Sequence, residues 1–173
     1  MAAIKNPALI SKHGIITNTA VDDCHKLALL AREEDRREVE DLSGETLIDN
    51  LLYGQKNGHP CLTIHTHSKL LLGIFGVIPI WAGMSAVAFI GTREVENNKV
   101  AFMRGARDVL AFVETLPDCD GLTNIVDCRN TLHIKFLLKL GFHIHERIEN
   151  FNGSGFPALK FWNFPKIITD KGG

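Results

Sequence analysis

Ile125-Val126-Asp127-Cys128-Arg129-Asn130-Thr131-Leu132-His133-Ile134-Lys135-Phe136-Leu137-Leu138-Lys139-Leu140-Gly141-Phe142 reads as a short apolar strand running into a helix. Asn130 stands at the junction, where its side-chain oxygen can accept from the first unpaired helix amides, and Gly141 suits the left-handed residue that closes the far end. Ile134, Leu137, Leu138 and Leu140 form an apolar stripe at helical spacing, with Lys135 and Lys139 on the wet face. Lys139 also falls in the last turn, where positive charge is favoured.

The 173 residues around this unit make one ordinary domain, with a loose arm over 1–13, a domain over 14–166 and a flexible tail over 167–173. Nineteen basic residues against 20 acidic leave no global field to draw the chain to nucleic acid or an anionic membrane. The four cysteines, Cys24, Cys61, Cys119 and Cys128, form no Cys-x-x-Cys pair, and residues 1–10 lack the apolar core of a leader. Reduced thiols in a cytoplasm fit both facts.

Upstream, residues 14–19 suit a first strand, and Thr19 is placed to cap a helix from Val21 that buries Leu27, Leu29 and Leu30. Residues 31–42 are so rich in alternating charge that a solvated helix laced with i,i+4 pairs is expected, ended by Ser43-Gly44. A second, amphipathic helix covers 45–55 through Leu47, Ile48, Leu51 and Leu52. Residues 61–67 alternate as a strand, with Cys61, Thr63, His65 and His67 on its wetter face. His65 and His67, with His143 and His145, would ligate zinc only if adjacent strands joined the two pairs. The polar face of half-buried strands is the simpler account, and no metal is expected.

Residues 70–90 carry no formal charge and are long enough for a membrane span. Gly73, Gly76, Pro79 and Gly83 divide them into strand-length pieces, so two buried strands, 70–77 and 85–91, are expected instead, joined through 78–84. One long helix is expected over 92–116, with Val95, Phe102, Ala106, Val109, Leu110 and Val113 inward and Pro117 at its end. Residues 143–148 and 156–164 then read as a hairpin about a turn at 152–155, with Phe161, Trp162 and Phe164 in the core or on the sheet.

The Asn130-Thr131 helix ending in Leu140-Gly141-Phe142 resembles the last strand-helix unit of the GCN5-related N-acetyltransferase (GNAT) fold, written roughly Asn-x-x-Ala-x-x-x-Tyr, then Gly-Phe. The resemblance implies an α/β fold with a mixed, mostly antiparallel central sheet flanked by helices. From Ile15 onward the chain is also similar to the internal virion, or core-assembly, proteins of T7-like bacteriophages. The residues behind this are the Asn130-to-Gly141 unit, His133 and the ending Lys171-Gly172-Gly173.

Active members of the fold set a loop of the type Gln/Arg-x-x-Gly-x-Gly/Ala before the helix that follows the fourth strand, so that backbone amides approach the coenzyme A pyrophosphate. Here that segment, 91–99, has no glycine pair and places Glu94 and Glu96 where phosphates would lie. The general-acid tyrosine of the pattern falls on Leu137, which can neither donate nor accept a proton. Tyr53, the single tyrosine, belongs to another element.

The resulting expectation is a non-catalytic member with no cofactor, working in virion or internal-core assembly beside other phage proteins, in the host cytoplasm or the virion interior. The alternative is an acetyl-CoA-dependent N-acyltransferase, with Asp127 or Glu34 as base and Thr92, Arg93, Asn130 and Phe136 against the cofactor. A further alternative is a host-directed interaction protein that presents the charged face of 32–41 to a host protein. Asp127 and Cys128 have plainer accounts, an ion pair with Arg129 and a small buried group.

Overall fold

The computed structural model describes residues 9–11 and 14–164. Strands β1 (Leu9–Ser11) and β2 (Gly14–Asn18) lead into helices α1 (Val21–Leu30), α2 (Glu33–Ser43) and α3 (Leu47–Asn57). Strands β3 (Cys61–His65), β4 (Leu71–Trp81) and β5 (Met84–Gly91) follow, then a 3-10 turn (Arg93–Glu96) and α4 (Lys99–Glu114). β6 (Gly121–Asp127), α5 (Thr131–Lys139), β7 (His143–Ile148) and β8 (Ala158–Asn163) are the last elements of the described residues. The eight strands form one sheet in the order β1-β2-β3-β4-β5-β6-β8-β7, antiparallel everywhere except between β5 and β6. The mixed, mostly antiparallel sheet expected from the sequence is therefore present. β1 pairs with β2 from within the stretch expected to be a loose arm, and the tail at 167–173 lies outside the described residues.

Two apolar clusters hold the helices to the sheet. One joins α4 and α5 to the sheet through Phe89, Phe102, Val109, Val113 and Leu137; the other joins α1 and α3 to β4 and β5 through Leu27, Leu47, Leu51, Ile74 and Ile90. The uncharged stretch is the β4–β5 hairpin, which runs on to Trp81 and turns at Gly83 with φ 75°, longer than the two strands expected. Pro79 is accommodated beside a register shift between Pro79 and Trp81, where the ladder is already irregular. No helix of the described residues is long and apolar enough to cross a membrane.

Several local expectations change once the chain is packed. Thr19 is not the cap of α1: it is buried and bonded to Thr63, while the Asp23 carboxylate accepts from the N–H of Ala20, the true N-cap. Only Cys24 and Leu27 of α1 are buried, whereas Leu29 and Leu30 face solvent, because the helix meets α3 along one narrow stripe. The long helix of 92–116 breaks at Asn97-Asn98 into the 3-10 turn and α4, though each of its six expected core residues is buried. Thr63, expected on a wet face, is fully buried, since β3 is covered on both sides. On α5, Leu138 is exposed and His133 takes a buried place on the helix's inner side.

Candidate functional site

β5 and β6 run parallel for only three paired positions, Met84–Gly121, Ser85–Leu122 and Ala86–Thr123, and then part. Asn124 holds the fork, donating from Nδ2 to the Val87 carbonyl at 2.9 Å. Beyond it the strands end at Gly91 and Asp127, the carboxyl-terminal edge where α/β sheets open clefts for ligands. α5 begins on one side of this opening and α4 on the other.

The throat of the fork is filled by α2. Arg32 is tied to the end of β5, its N–H donating to the Gly91 carbonyl at 3.1 Å, and Ala31 bridges Thr92. One turn on, the buried Asp35 carboxylate accepts from the Gly91 N–H at 2.9 Å, from Asn130 Nδ2 at 3.0 Å and from Arg32 Nη1 at 3.0 Å. Glu38 follows on the same face, accepting from the Asp127 N–H at 3.2 Å and lying 2.9 Å from His133 Nδ1. The backbone donors at the ends of both parted strands are thus held by side chains of one helix.

Charge is matched inside this layer. Arg32 faces Asp35, His133 faces Glu38, and Arg129 clasps Asp127 through Nε at 2.9 and 3.0 Å while its Nη2 reaches Asp41 at 2.6 Å. Burial would push the His133 imidazole down, but Glu38 and Asp35 outweigh it and the proton is held above the ordinary histidine range. Burial raises the Asp35 carboxyl, and His133, Arg32, Asn130 and Gly91 offset only part of that rise. Burial works the same way on Asp127, yet the hydrogen bonds from Arg129 prevail and hold it below the usual range.

Because the His133 pKa is raised on folding, the stabilisation it brings is complete below the unfolded value of ~6.5 and fades as pH climbs through the folded value. His133→Gln keeps a hydrogen bond to Glu38 without the charge. It is expected to cost roughly 1.5–3 kcal/mol at about pH 6, and less as pH rises toward about 9. Urea melts across that range check this, and a deficit that widened with pH would contradict it.

The residues expected at the site fare differently. Asp127 is buried and committed to Arg129. Asn130 is buried with both ends of its amide used, Oδ1 accepting from the His133 N–H at 3.2 Å and Nδ2 on Asp35. Thr92 is fully buried and its hydroxyl donates to the Leu71 carbonyl at 2.7 Å, so it faces the core. Glu34 sits on the outer side of α2, half exposed, and Arg93 is exposed on the 3-10 turn. Phe136 does line the opening between α4 and α5. Cys128 has its thiol pushed up, by burial first, which leaves it a poor nucleophile.

Asp35 and Glu38 escape a reading of the sequence because alternating charge makes α2 look solvated on every side. A signal is present all the same: Asp35, Glu38 and Leu42 recur at i, i+3 and i+7, which places two carboxylates on the stripe that Leu42 buries. The two His-x-His pairs stand on or beside β3 and β7, with β4, β5, β6 and β8 between those strands. The described residues bring no three potential metal ligands together.

The fold is similar to that of solved acetyltransferases. A GNAT-family acetyltransferase from Bacillus anthracis superposes with a TM-score of 0.68 at 9% identity, covering 88% of this chain and 95% of that one. The spermidine N-acetyltransferase of Vibrio cholerae in complex with CoA and spermine gives a TM-score of 0.68 at 16% identity, over 90% of this chain and 98% of its own. A chimera of that enzyme with hSSAT matches to the same TM-score at 14% identity, over 90% of this chain and 98% of its own. The chain has the GNAT fold. No protein-family model matches it, and no curated protein matches it in sequence.

Proposed function

We propose that this chain keeps the acetyltransferase scaffold without the transfer chemistry and acts by binding other proteins, as an assembly component of a T7-like bacteriophage particle. One observation carries the first half: Asp35 and Glu38 occupy the Gly91 and Asp127 amides at the ends of the parted strands. An acyl thioester lying in the fork would have to displace two buried, hydrogen-bonded carboxylates. Asn130 already commits Nδ2 to Asp35 and Oδ1 to the His133 N–H, and Glu94 and Glu96 repel phosphates at the loop before α4. Leu137, at the position of the pattern's tyrosine, is buried and without a proton to give. These features together support a site that does not take acetyl-CoA.

The assembly half rests on the resemblance of the Asn130-to-Gly141 unit, His133 and the Lys-Gly-Gly ending to the internal virion proteins. Its partners would be other phage proteins, or a host protein reached through the exposed charges of α2.

Acetyl-CoA is expected to leave the melting temperature unchanged. Saturation at a hundred times its dissociation constant would add about 2.7 kcal/mol, readily seen in a thermal melt. A clear rise would restore the N-acyltransferase reading. For the assembly role, phage structural proteins are expected to co-purify with the tagged chain from infected cells. Their absence from the purified complex would remove that half.

A further inference from the structure

A cavity of about 220 Å³ lies between the end of β5, the first turns of α4 and the side of α5 that carries Leu132, Lys135, Phe136 and Lys139. Its back wall is a triad of rings: Phe89 and Phe102 meet edge-on at 4.5 Å between centroids, and Phe136 packs 5.2 and 5.0 Å from them. Three lysines, Lys99, Lys135 and Lys139, line the same cavity. All three are exposed, and none has an ion-pair partner among the described residues. Deeper in, Arg32 and Asp35 line the cavity as an ion pair, and Arg32 Nε is buried without a hydrogen-bond partner, Glu96 Oε1 standing 3.9 Å away. The free positive charge of the cavity is therefore that of the three lysines.

We infer that this cavity is a docking pocket for an acidic segment of a partner protein, which inserts one bulky apolar side chain against the ring triad and lays its flanking carboxylates on Lys99, Lys135 and Lys139. The inference deepens the non-catalytic reading and rests on it.

Size and charge choose the occupant. The cavity is smaller than the roughly 300–1,000 Å³ that hold drug-sized ligands, yet it has room for an anchoring side chain of the kind that dominates interface energies. Lys135 and Lys139 sit one turn apart, roughly 6 Å along α5, so their charges meet anions spaced along a chain better than two fused phosphates. A diphosphate also needs backbone amides. In the loop before α4, those of Thr92, Val95, Asn97 and Asn98 already donate to the carbonyls of Leu72, Thr92, Glu94 and Val95, which leaves only the first turn of α4 to offer any. Met103 in the lining gives the pocket a flexible wall that can settle around different apolar side chains.

The test is fluorescence anisotropy with a rhodamine-labelled peptide of mixed Glu and Asp around one central Phe, titrated with the full chain. Saturable binding is expected, weakened at least about tenfold by Lys135→Glu/Lys139→Glu and by exchanging the central Phe for Ser. Both lysines are exposed, so the double variant should melt like the parent, which separates lost binding from lost fold. Binding that ignores the lysine reversal or the Phe exchange overturns the proposal, as does no binding at all. Acetyl-CoA, run in parallel, tells the two failures apart. If it stabilises the protein and displaces the peptide, the non-catalytic reading falls; if neither ligand binds, the docking proposal alone falls.

Discussion

Replacing Asp35 with alanine is expected to lower the stability of the chain by about 3–5 kcal/mol, the loss seen when one member of a buried ion pair is removed. Three donors lose their acceptor together: the Arg32 guanidinium, the Gly91 N–H and the Asn130 amide. Arg32 is nearly as buried as Asp35 and would be left as a charge without its closest partner. A contrary force exists, since burial raises the Asp35 carboxyl and its ionised form is therefore held at a cost in the folded state. Deleting the carboxylate relieves that cost but strands the cation, and stranding the cation costs more than the relief returns. Arg32→Met with Asp35→Leu separates the two effects, because an apolar pair of similar bulk removes both charges. The double variant is expected to recover the part of the loss due to the stranded cation, while the Gly91 N–H and the Asn130 amide stay without an acceptor and keep the rest. Urea denaturation of the single and double variants distinguishes the outcomes: a loss under about 1 kcal/mol for Asp35→Ala would mean that water reaches the fork and that α2 does not seal it.

The same layer marks where the sequence is readable. The Asn130 cap, the Gly141 terminus with φ 89° and the inward face of α4 can be read because each depends on residues close in sequence. The uncharged stretch resolves into a hairpin for the same reason, as glycines and a proline punctuate it at short range. What lies at the fork depends on pairs such as Asp35–Asn130 and Glu38–Asp127, 95 and 89 residues apart. Charge alternation along α2 describes the helix in isolation, where any face can be wet. Its buried face is set by Gly91, Asp127 and His133, and nothing local announces them. Leu137, Glu94 and Glu96 carry the part of the proposed non-catalytic reading that the sequence alone supports, whereas the Asp35 and Glu38 carboxylates at the ends of β5 and β6 are seen only in the structure.

The ring triad yields the second large effect, and a comparison of two phenylalanines brings it out. Phe161, 2% exposed, packs edge-on against Phe142 at 5.3 Å in the closed part of the core, so Phe161→Ala should approach about 5 kcal/mol, the upper end for such truncations. Phe102 is 5% exposed and makes ring contacts as close, yet it lines the cavity between α4 and α5. Truncating it enlarges a space that already opens toward solvent, where water and the Phe136 ring can move in. The void left behind then costs less, and Phe102→Ala should lose about 3 kcal/mol. Burial alone would rank the two almost equal; the cavity separates them. Denaturant melts that returned equal losses, or a larger one at Phe102, would show the space beside α5 to be closed and tightly packed, leaving no room for an inserted side chain.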